Sequence, residues 1–378
     1  EDLLPMTLDE LTAEFSAINE RHSDAEDAAV AIRAVRRRET LRVAMGAVLG
    51  DLSIDQIATA LSEINETYIR AVLQTVRTTS EFRAGGLRLV SAVDFAIIAM
   101  GRTGGGEMGF GSDADVMFVY EPMPGVDPQV AQQAAERIVT ELRELSKDQL
   151  LEFELDLDLR PEGKNGPVVR SLDSYRAYYE RWSDSWESQA LLRAKPIAGS
   201  QKLMDAFEQL IDQHRYPKQV HSKVILEIRR IKARVETERL PQGADPKRHL
   251  KLGRGSLSDV EWLVQLLQLT HGRDNPSIRT PKTLPALRAC VSAGLIAEHD
   301  ANVLAASWTL CSRVRSASVL WANKRTDVLP VDRKQLEGIA RILEYPNFSA
   351  SILEQDYLAQ TRRARAVFER SEEHTSEL

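Results

Sequence analysis

Apolar residues recur at intervals of three and four from Leu8 to about Thr78, as in Leu11, Phe15 and Ile18 and then Ile54, Ile57, Leu61 and Ile64. That spacing predicts amphipathic helices, separated by turn punctuation at Gly50-Asp51 and Ser53-Ile54-Asp55. The pattern changes at Gly85-Gly86. Phe95 to Met100 and Val116 to Tyr120 are short unbroken apolar runs, which read as buried strands on either side of a glycine-rich stretch. A helix is expected from Asp127 to about Lys147. From Leu151 to Leu159 the odd positions are apolar and positions 152, 154, 156 and 158 are acidic, a period of two that predicts a strand with one core face and one row of carboxylates. Pro161 to Pro167 reads as a turn and Val168-Val169 as a short returning strand. After about Ser171 helical spacing resumes, beginning with an aromatic stretch of Tyr175, Tyr178, Tyr179, Trp182 and Trp186 expected to pack a joint between regions. Val224, Ile228, Ile231 and Val235 predict a helix over 220–239, and helices are also expected over 257–269, 284–295, 301–321, 333–343 and 351–369. These make a bundle of about five or six. The fold class is α+β, mostly α, with a helical region over 1–84, a small mixed sheet within 85–215 and a helical bundle over 216–369.

A chain of 378 residues is long enough for about two or three domains. Its 43% apolar and 28% charged residues are those of a globular protein, and a net charge of -7 gives no global attraction to nucleic acid or an anionic membrane. No apolar stretch approaches the roughly 20 residues that cross a bilayer. Cys290 and Cys311 lack any paired spacing and have no histidines around them, which indicates neither a disulfide framework nor a zinc site and fits a cytoplasmic location. The chain opens at Glu1 within a helical pattern, as expected of an internal fragment of something longer. Residues Arg370 to Leu378 are polar, lack periodicity and match one reading frame of a common sequencing adapter, so they are expected to lie outside the fold.

The chemistry concentrates between the two apolar runs. Gly101 to Gly111 is costly to order, because glycine loses the most backbone freedom on folding, so something is expected to approach that backbone closely; phosphate is the usual guest. Asp113 and Asp115 follow at once. Two residues apart at the start of a strand, they share a face, and their mutual repulsion calls for a cation. Oxygen-only ligands of high charge suit Mg2+. The neighbouring acidic strand offers a third carboxylate, but Glu154, Asp156 and Asp158 share its face and spacing does not choose among them. Arg160 is placed to steady phosphate or to pair with the carboxylates, and Lys164 in the turn is a candidate phosphate contact. Further on, Ser258 and Glu261 have the spacing of a helix capping box around Asp259. Arg229, Arg230, Lys232, Arg234, Lys247, Arg248, Lys251 and Arg254 form a dense basic set, open between phosphate or partner binding and a solvated face. Arg36-Arg37-Arg38 reads as a solvated helix face, and His249 and His271 as core or surface residues rather than ligands.

A glycine pair, a short spacer, Asp-x-Asp and a distant third carboxylate resemble the DNA polymerase beta-like nucleotidyltransferase superfamily. The likeness implies a small palm-like sheet and two-metal nucleotidyl transfer. Met100-Gly101-Arg102, Gly104-Gly105, Glu107, Gly109-Phe110 and Ser112 to Asp115, followed by Asp156 to Gly166, narrow it to glutamine synthetase adenylyltransferases, over about Arg36 to Arg370. Such proteins carry two nucleotidyltransferase units, one adding AMP to a glutamine synthetase tyrosine and one removing it; Glu107-Met108-Gly109-Phe110 is more similar to the adding, C-terminal unit. The resemblance implies Asp113, Asp115 and Asp156 as the catalytic and Mg2+-binding carboxylates, and ATP as substrate. It places Gly104, Gly105 and Ser112 on the phosphates, with Arg160 and Lys164 nearby and Glu107 as a further site residue. It implies glutamine synthetase and a PII-type signal protein as partners. It also keeps Asp259 and Glu261 near the nucleotide through a Gly-Gly-x-x-Asp-x-Glu pattern, from which this chain departs with Ser256 at the second glycine.

Overall fold

The computed structural model describes the chain except residues 1–3, 182–184, 241–242, 244 and 375–378. Two compact units emerge: Glu1–Met45, Ala58–Met108 and Ser112–His214 form the first, and Gly46–Ile57, Gly109–Gly111 and Arg215–Leu378 the second. Most of residues 1–84 and most of 85–215, distinct in sequence pattern, thus pack within one unit.

In the first unit, α1 (Leu8–Arg21) starts in a capping box: Thr7 Oγ1 accepts the Glu10 amide at 3.3 Å and Glu10 accepts the Thr7 amide at 2.8 Å. α2 (Ala25–Val48) and α3 (Ile54–Thr79) bury Ile32, Val35, Ile64, Ile69 and Val72. Arg36 is not on a solvated face. It is 5% exposed, because it lies on the same stripe of α2 as Ala29, Ile32 and Val43. β1 (Arg83–Ala84) and β2 (Leu87–Arg88) form a short hairpin through Gly85 and Gly86, and α4 (Leu89–Ala92) leads into the main sheet.

That sheet contains β3 (Val93–Ala99), β4 (Ala114–Pro122), β5 (Leu155–Asp156), β6 (Arg170–Ser171) and β7 (Lys195–Gly199), in the order β5-β4-β3-β7 with β6 also on β4. β3 runs antiparallel to β4 and β7, whereas β5 and β6 run parallel to β4, so the sheet is mixed as expected. Both apolar runs are strands buried on both faces. Ile98, Met117 and Val119 pack with Tyr175 and Phe207, and the other face carries Phe95 on Phe118 at 5.7 Å between ring centroids. α5 (Gly101–Gly104) joins β3 to the glycine turn; α6 (Pro128–Ser146) is capped by Asp127; α7 (Leu172–Arg181), α8 (Ser185–Leu191) and α9 (Gln201–Arg215) complete the unit. Tyr175 and Tyr179 are core residues on the sheet, and Trp182 lies outside the described residues.

The acidic strand is much shorter than its alternation predicts. Phe153, Leu155 and Leu157 are buried and Glu152, Glu154 and Asp158 exposed, so the period of two holds in burial, but only Leu155 and Asp156 join the ladder. Turns hem it in on both sides: Asp148 Oδ1 accepts the amides of Leu150 and Leu151 at 3.0 and 3.3 Å, and Asp156 Oδ1 accepts the Asp158 amide at 2.7 Å. The returning strand likewise falls at Arg170–Ser171 rather than Val168-Val169.

The second unit contains α10 (Ser222–Glu238), α11 (Leu257–His271), α12 (Thr283–Ser292), α13 (Glu298–Ala322), α14 (Arg333–Ile342) and α15 (Ala350–His374) around Leu263, Leu304, Trp308, Leu336 and Tyr357. α15 continues through His374, so residues 370–374 are helical; residues 375–378 lie outside the described residues. Both cysteines are buried thiols, with Cys290 pushed up to about 11 by burial.

His249 is 3% exposed, and its Nδ1 accepts the Leu252 amide at 2.9 Å, which requires the neutral ring. Burial lowers its pKa and that of His214. Between pH 6.5 and the lowered values the unfolded chain binds more protons than the folded one. These histidines therefore contribute stability that is complete above about pH 6.5 and is lost as pH falls. Glu236 and Asp327 act at lower pH. Burial raises both, but Lys232 and Arg365 beside Glu236, and Arg315 beside Asp327, outweigh it and leave both lowered; that stability is lost as pH falls below about 4. The melting temperature is expected to be level from pH 7 to 8 and to decline below 6.5, with His249→Asn removing part of the upper decline; a level profile down to pH 5 contradicts the assignment.

Candidate active site

β4 starts directly after Asp113, and its first two residues pair with β5 in parallel, Ala114 beside Leu155 and Asp115 beside Asp156. Partners in register on adjacent strands project to one face, so Asp115 and Asp156 emerge together. Asp113 precedes them on the same alternation, and all three are half-buried. Glu154 and Asp158, equal to Asp156 in spacing, have no register partner on β4. The Glu154 carbonyl instead accepts the Ala114 amide at 3.3 Å, and the Asp158 carboxylate lies 3.3 Å from Lys164.

The glycine turn holds this arrangement from beneath. The Met100 amide donates to the Asp115 carbonyl at 2.8 Å and Thr103 Oγ1 to the Asp113 carbonyl at 3.4 Å. Gly101 has φ +52°, and a Cβ there would stand 2.4 Å from Asp115 Oδ2, so glycine is what lets this carboxylate lie against the turn. The close guest at Gly104 and Gly105 is the protein itself. A Cβ on Gly104 would meet the Arg193 carbonyl at 1.9 Å, and one on Gly105 the Arg193 guanidinium at 2.4 Å. Their amides donate to the Met100 and Gly101 carbonyls at 2.8 and 3.0 Å. Packing against Arg193 thus accounts for glycine at both positions, where phosphate was the expected guest.

Glu107 and Arg160 are tied into the protein, whereas Lys164 and Ser112 are not enclosed by it. Glu107 forms an ion pair with Arg193, both about 5% exposed, and so buttresses the turn. Arg160 is 8% exposed and donates to the carbonyls of Leu157 at 2.7 Å, Lys164 at 3.2 Å and Gly166 at 3.1 Å, which staples the turn after Asp156 and leaves it neither on the carboxylates nor facing outward. Lys164 is a surface side chain. Ser112 is half-buried between the turn and Asp113.

In the second unit, Asp259 is fully buried. It receives Lys232 Nζ at 2.6 Å, Arg365 at 3.1 Å and the Gly255 amide at 2.6 Å, a network that ties α10, α11 and α15 together. The capping box does not form: Ser256 occupies the N-cap, and Ser258 Oγ, inside the first turn, accepts from Lys232 at 3.0 Å. Glu261 Oε1 accepts from Trp308 Nε1 at 3.4 Å. Ser256 is accommodated where a second glycine was expected, since its Oγ donates to the Gly253 carbonyl at 2.6 Å. The basic set is not one patch: Lys232 is buried, and Arg248 is tied to Glu354 and the Leu329 carbonyl, whereas Arg230, Arg234, Lys247, Lys251 and Arg254 are exposed.

Among the described residues no group of three or more His, Cys, Asp or Glu side chains is arranged to hold a metal ion. The donor chemistry nevertheless fits magnesium, which characteristically takes one or two carboxylates and completes its shell with substrate phosphates and water. Asp115 and Asp156, adjacent in register, with Asp113 before them, supply hard oxygen donors of that kind. A cavity of about 930 Å³ lies along the opposite edge of the sheet, lined in part by Asn19, Arg70, Gln74, Lys195 and Asp205. Neither Asp115 nor Asp156 lines it.

Residues 4–210, more than half of the chain, match the family model for glutamate-ammonia ligase adenylyltransferase. The chain belongs to that family. Residues 228–371, within the second unit, match the model for GlnD PII-uridylyltransferase. The relatives of this family member include a bifunctional glutamine synthetase adenylyltransferase/adenylyl-removing enzyme of Leifsonia xyli, 54% identical over 98% of this chain and 36% of the relative. Proteins of the same name from Streptomyces avermitilis and Mycobacterium avium are each 44% identical, over 95% and 92% of this chain and 37% and 35% of theirs. The chain thus spans about a third of the length of the curated relatives it matches. Among the described residues no helix is long and apolar enough to cross a membrane.

Proposed function

We propose that this chain transfers AMP from ATP to a tyrosine hydroxyl of glutamine synthetase and releases pyrophosphate. The reading rests on one observation above the others: the parallel register that sets Asp156 beside Asp115, directly after Asp113, in a member of an adenylyltransferase family. Asp113 and Asp115 would hold Mg2+, with Asp156 completing the site. Bound magnesium supplies charge neutralisation for the triphosphate and the leaving pyrophosphate. The tyrosyl oxygen attacks the α-phosphorus, a new P–O bond forms and the bond to the β-phosphate bridge breaks. Asp156, a carboxylate beside that acceptor, takes the phenolic proton and passes it to solvent. The turn carrying Gly104 and Gly105 supports this side of the sheet, Ser112 donates to a phosphate oxygen, and Lys164 at the surface has the freedom to reach one.

The names of the relatives also contain adenylyl removal, and the same carboxylates can serve phosphate-driven release of ADP from adenylylated glutamine synthetase. The match of the second unit to a PII-uridylyltransferase model supports that unit as the place where a PII-type signal protein acts. The deciding experiment gives the chain glutamine synthetase, Mg2+ and α-labelled ATP. Label on glutamine synthetase with equimolar pyrophosphate is expected. ADP formed only from adenylylated glutamine synthetase and phosphate would assign removal instead, and nucleotide binding without either turnover would make the chain a regulatory module.

A further inference from the structure

β5 carries Asp156 yet has only two residues in the ladder, so something other than sheet hydrogen bonds must hold it. The chain that leads into it, residues 145–153, is gripped by one face of α2. Arg33, Arg36 and Arg37 lie three and four apart and point the same way. Arg33 donates to the carbonyls of Leu145 at 3.0 Å and Lys147 at 3.4 Å. Arg37 reaches Asp148 Oδ1 at 3.1 Å. Arg36 does the most: its Nε donates to Asn65 Oδ1 at 2.9 Å, its Nη1 to the Leu151 carbonyl at 2.9 Å, and Asp148 Oδ2 lies 3.7 Å away. Its guanidinium also stacks 4.5 Å from the Phe153 ring centroid and 5.4 Å from that of Tyr68, whose hydroxyl donates to the Ser146 carbonyl at 2.7 Å. Phe153 in turn bridges back to Asp148.

Arg36 and Asp148 are both 5% exposed, and a guanidinium is taken out of water only where partners replace its hydration. Asn65 and Tyr68 on α3, and Asp148, Leu151 and Phe153 in the segment that feeds β5, supply such partners. From Phe153, pinned under Arg36, Asp156 is three extended residues further, about 10 Å along the chain. A lysine in place of Arg36 would keep the charge and lose both the planar stack and the forked donors.

We infer that Arg36 is a positioning residue for Asp156: α2 clamps the turn before β5 and thereby sets the register of the third carboxylate beside Asp115. The role in catalysis rests on the nucleotidyl-transfer reading, whereas the clamp does not, and two measurements on the full chain separate them. Hydrogen exchange resolved to single amides in Arg36→Ala and Arg36→Lys is expected to show the Ala114 amide, which bonds the Glu154 carbonyl, exchanging at least about tenfold faster, with the β3–β4 amides of Ile98 and Met117 unchanged. Wild-type protection at Ala114, or equal loss across the whole sheet, would overturn the clamp. If Arg36→Ala does not fold, Arg36→Lys carries the test. For AMP transfer, kcat is expected to fall about a hundredfold for Arg36→Ala while KM for ATP stays within about threefold, the pattern of a misplaced group. Unchanged kcat with a loosened β5 would overturn the positioning role and leave the clamp standing.

Discussion

Asp115→Asn is expected to lower the rate of AMP transfer at least about a thousandfold, equivalent to about 4 kcal/mol of transition-state stabilisation. Asparagine keeps the shape and one acceptor oxygen but removes the charge that a hard cation needs. The same change removes a like charge directly across the ladder from Asp156. Opposed like charges destabilise a sheet, so thermal stability is expected to hold or rise by a few tenths of a kcal/mol while activity disappears. A joint loss of activity and stability would point to a structural role for Asp115. Glu154→Gln is the matched control: exposed and off the register, it is expected to leave the rate within about twofold. Initial rates and melting curves on the three proteins decide the point.

Gly104→Ala is expected to destabilise the first unit by about 3 kcal/mol or more, a cost in the range of overpacked cores. Its Cβ would stand 1.9 Å from the Arg193 carbonyl, in the turn before β7, and 2.5 Å from that of Ala99 in β3, and backbone atoms cannot swing aside as a side chain can. Gly86→Ala supplies the contrast: at φ +82° with nothing within 4 Å, it meets backbone strain alone and is expected to cost only about 1 kcal/mol. Denaturant unfolding of both variants measures the difference. A Gly104→Ala protein as stable as wild type that fails only in nucleotide binding would restore the view that phosphate, not Arg193, requires this glycine.

Periodicity made much of this molecule legible. Val93–Ala99 and Ala114–Pro122 announce themselves as buried strands, and α10 to α15 fall close to the helical patterns of residues 220–369. Asp113 and Asp115 are readable because the start of a strand fixes which side chains share a face. What period cannot report is pairing. The alternation from Leu151 to Leu159 marks which side chains are buried, but ladder formation needs a partner strand, and β4 offers one only from Ala114. Spacing therefore left Glu154, Asp156 and Asp158 equal; the resemblance named Asp156, and it is Asp156 that lies in register with Asp115. Partners far apart in sequence were equally hidden. Glu107 meets Arg193 across 86 positions, and nothing in either neighbourhood signals the other. Arg36 was more accessible, since it sits on the apolar stripe of its own helix, but a run of three arginines resembles a solvated face until Asp148 and Phe153 are folded against it.

The central claim is that the carboxylates of Asp113, Asp115 and Asp156 form the nucleotide's metal site. A crystal structure of the chain with Mn2+ and a non-hydrolysable ATP analogue, recorded at the manganese absorption edge, tests it most directly. The expected result is an anomalous peak about 2.1 Å from carboxylate oxygens of Asp113 and Asp115, with Asp156 and the triphosphate against the same site. A nucleotide and manganese seated instead in the cavity beside Arg70 and Lys195, with no peak at Asp115, would contradict the account.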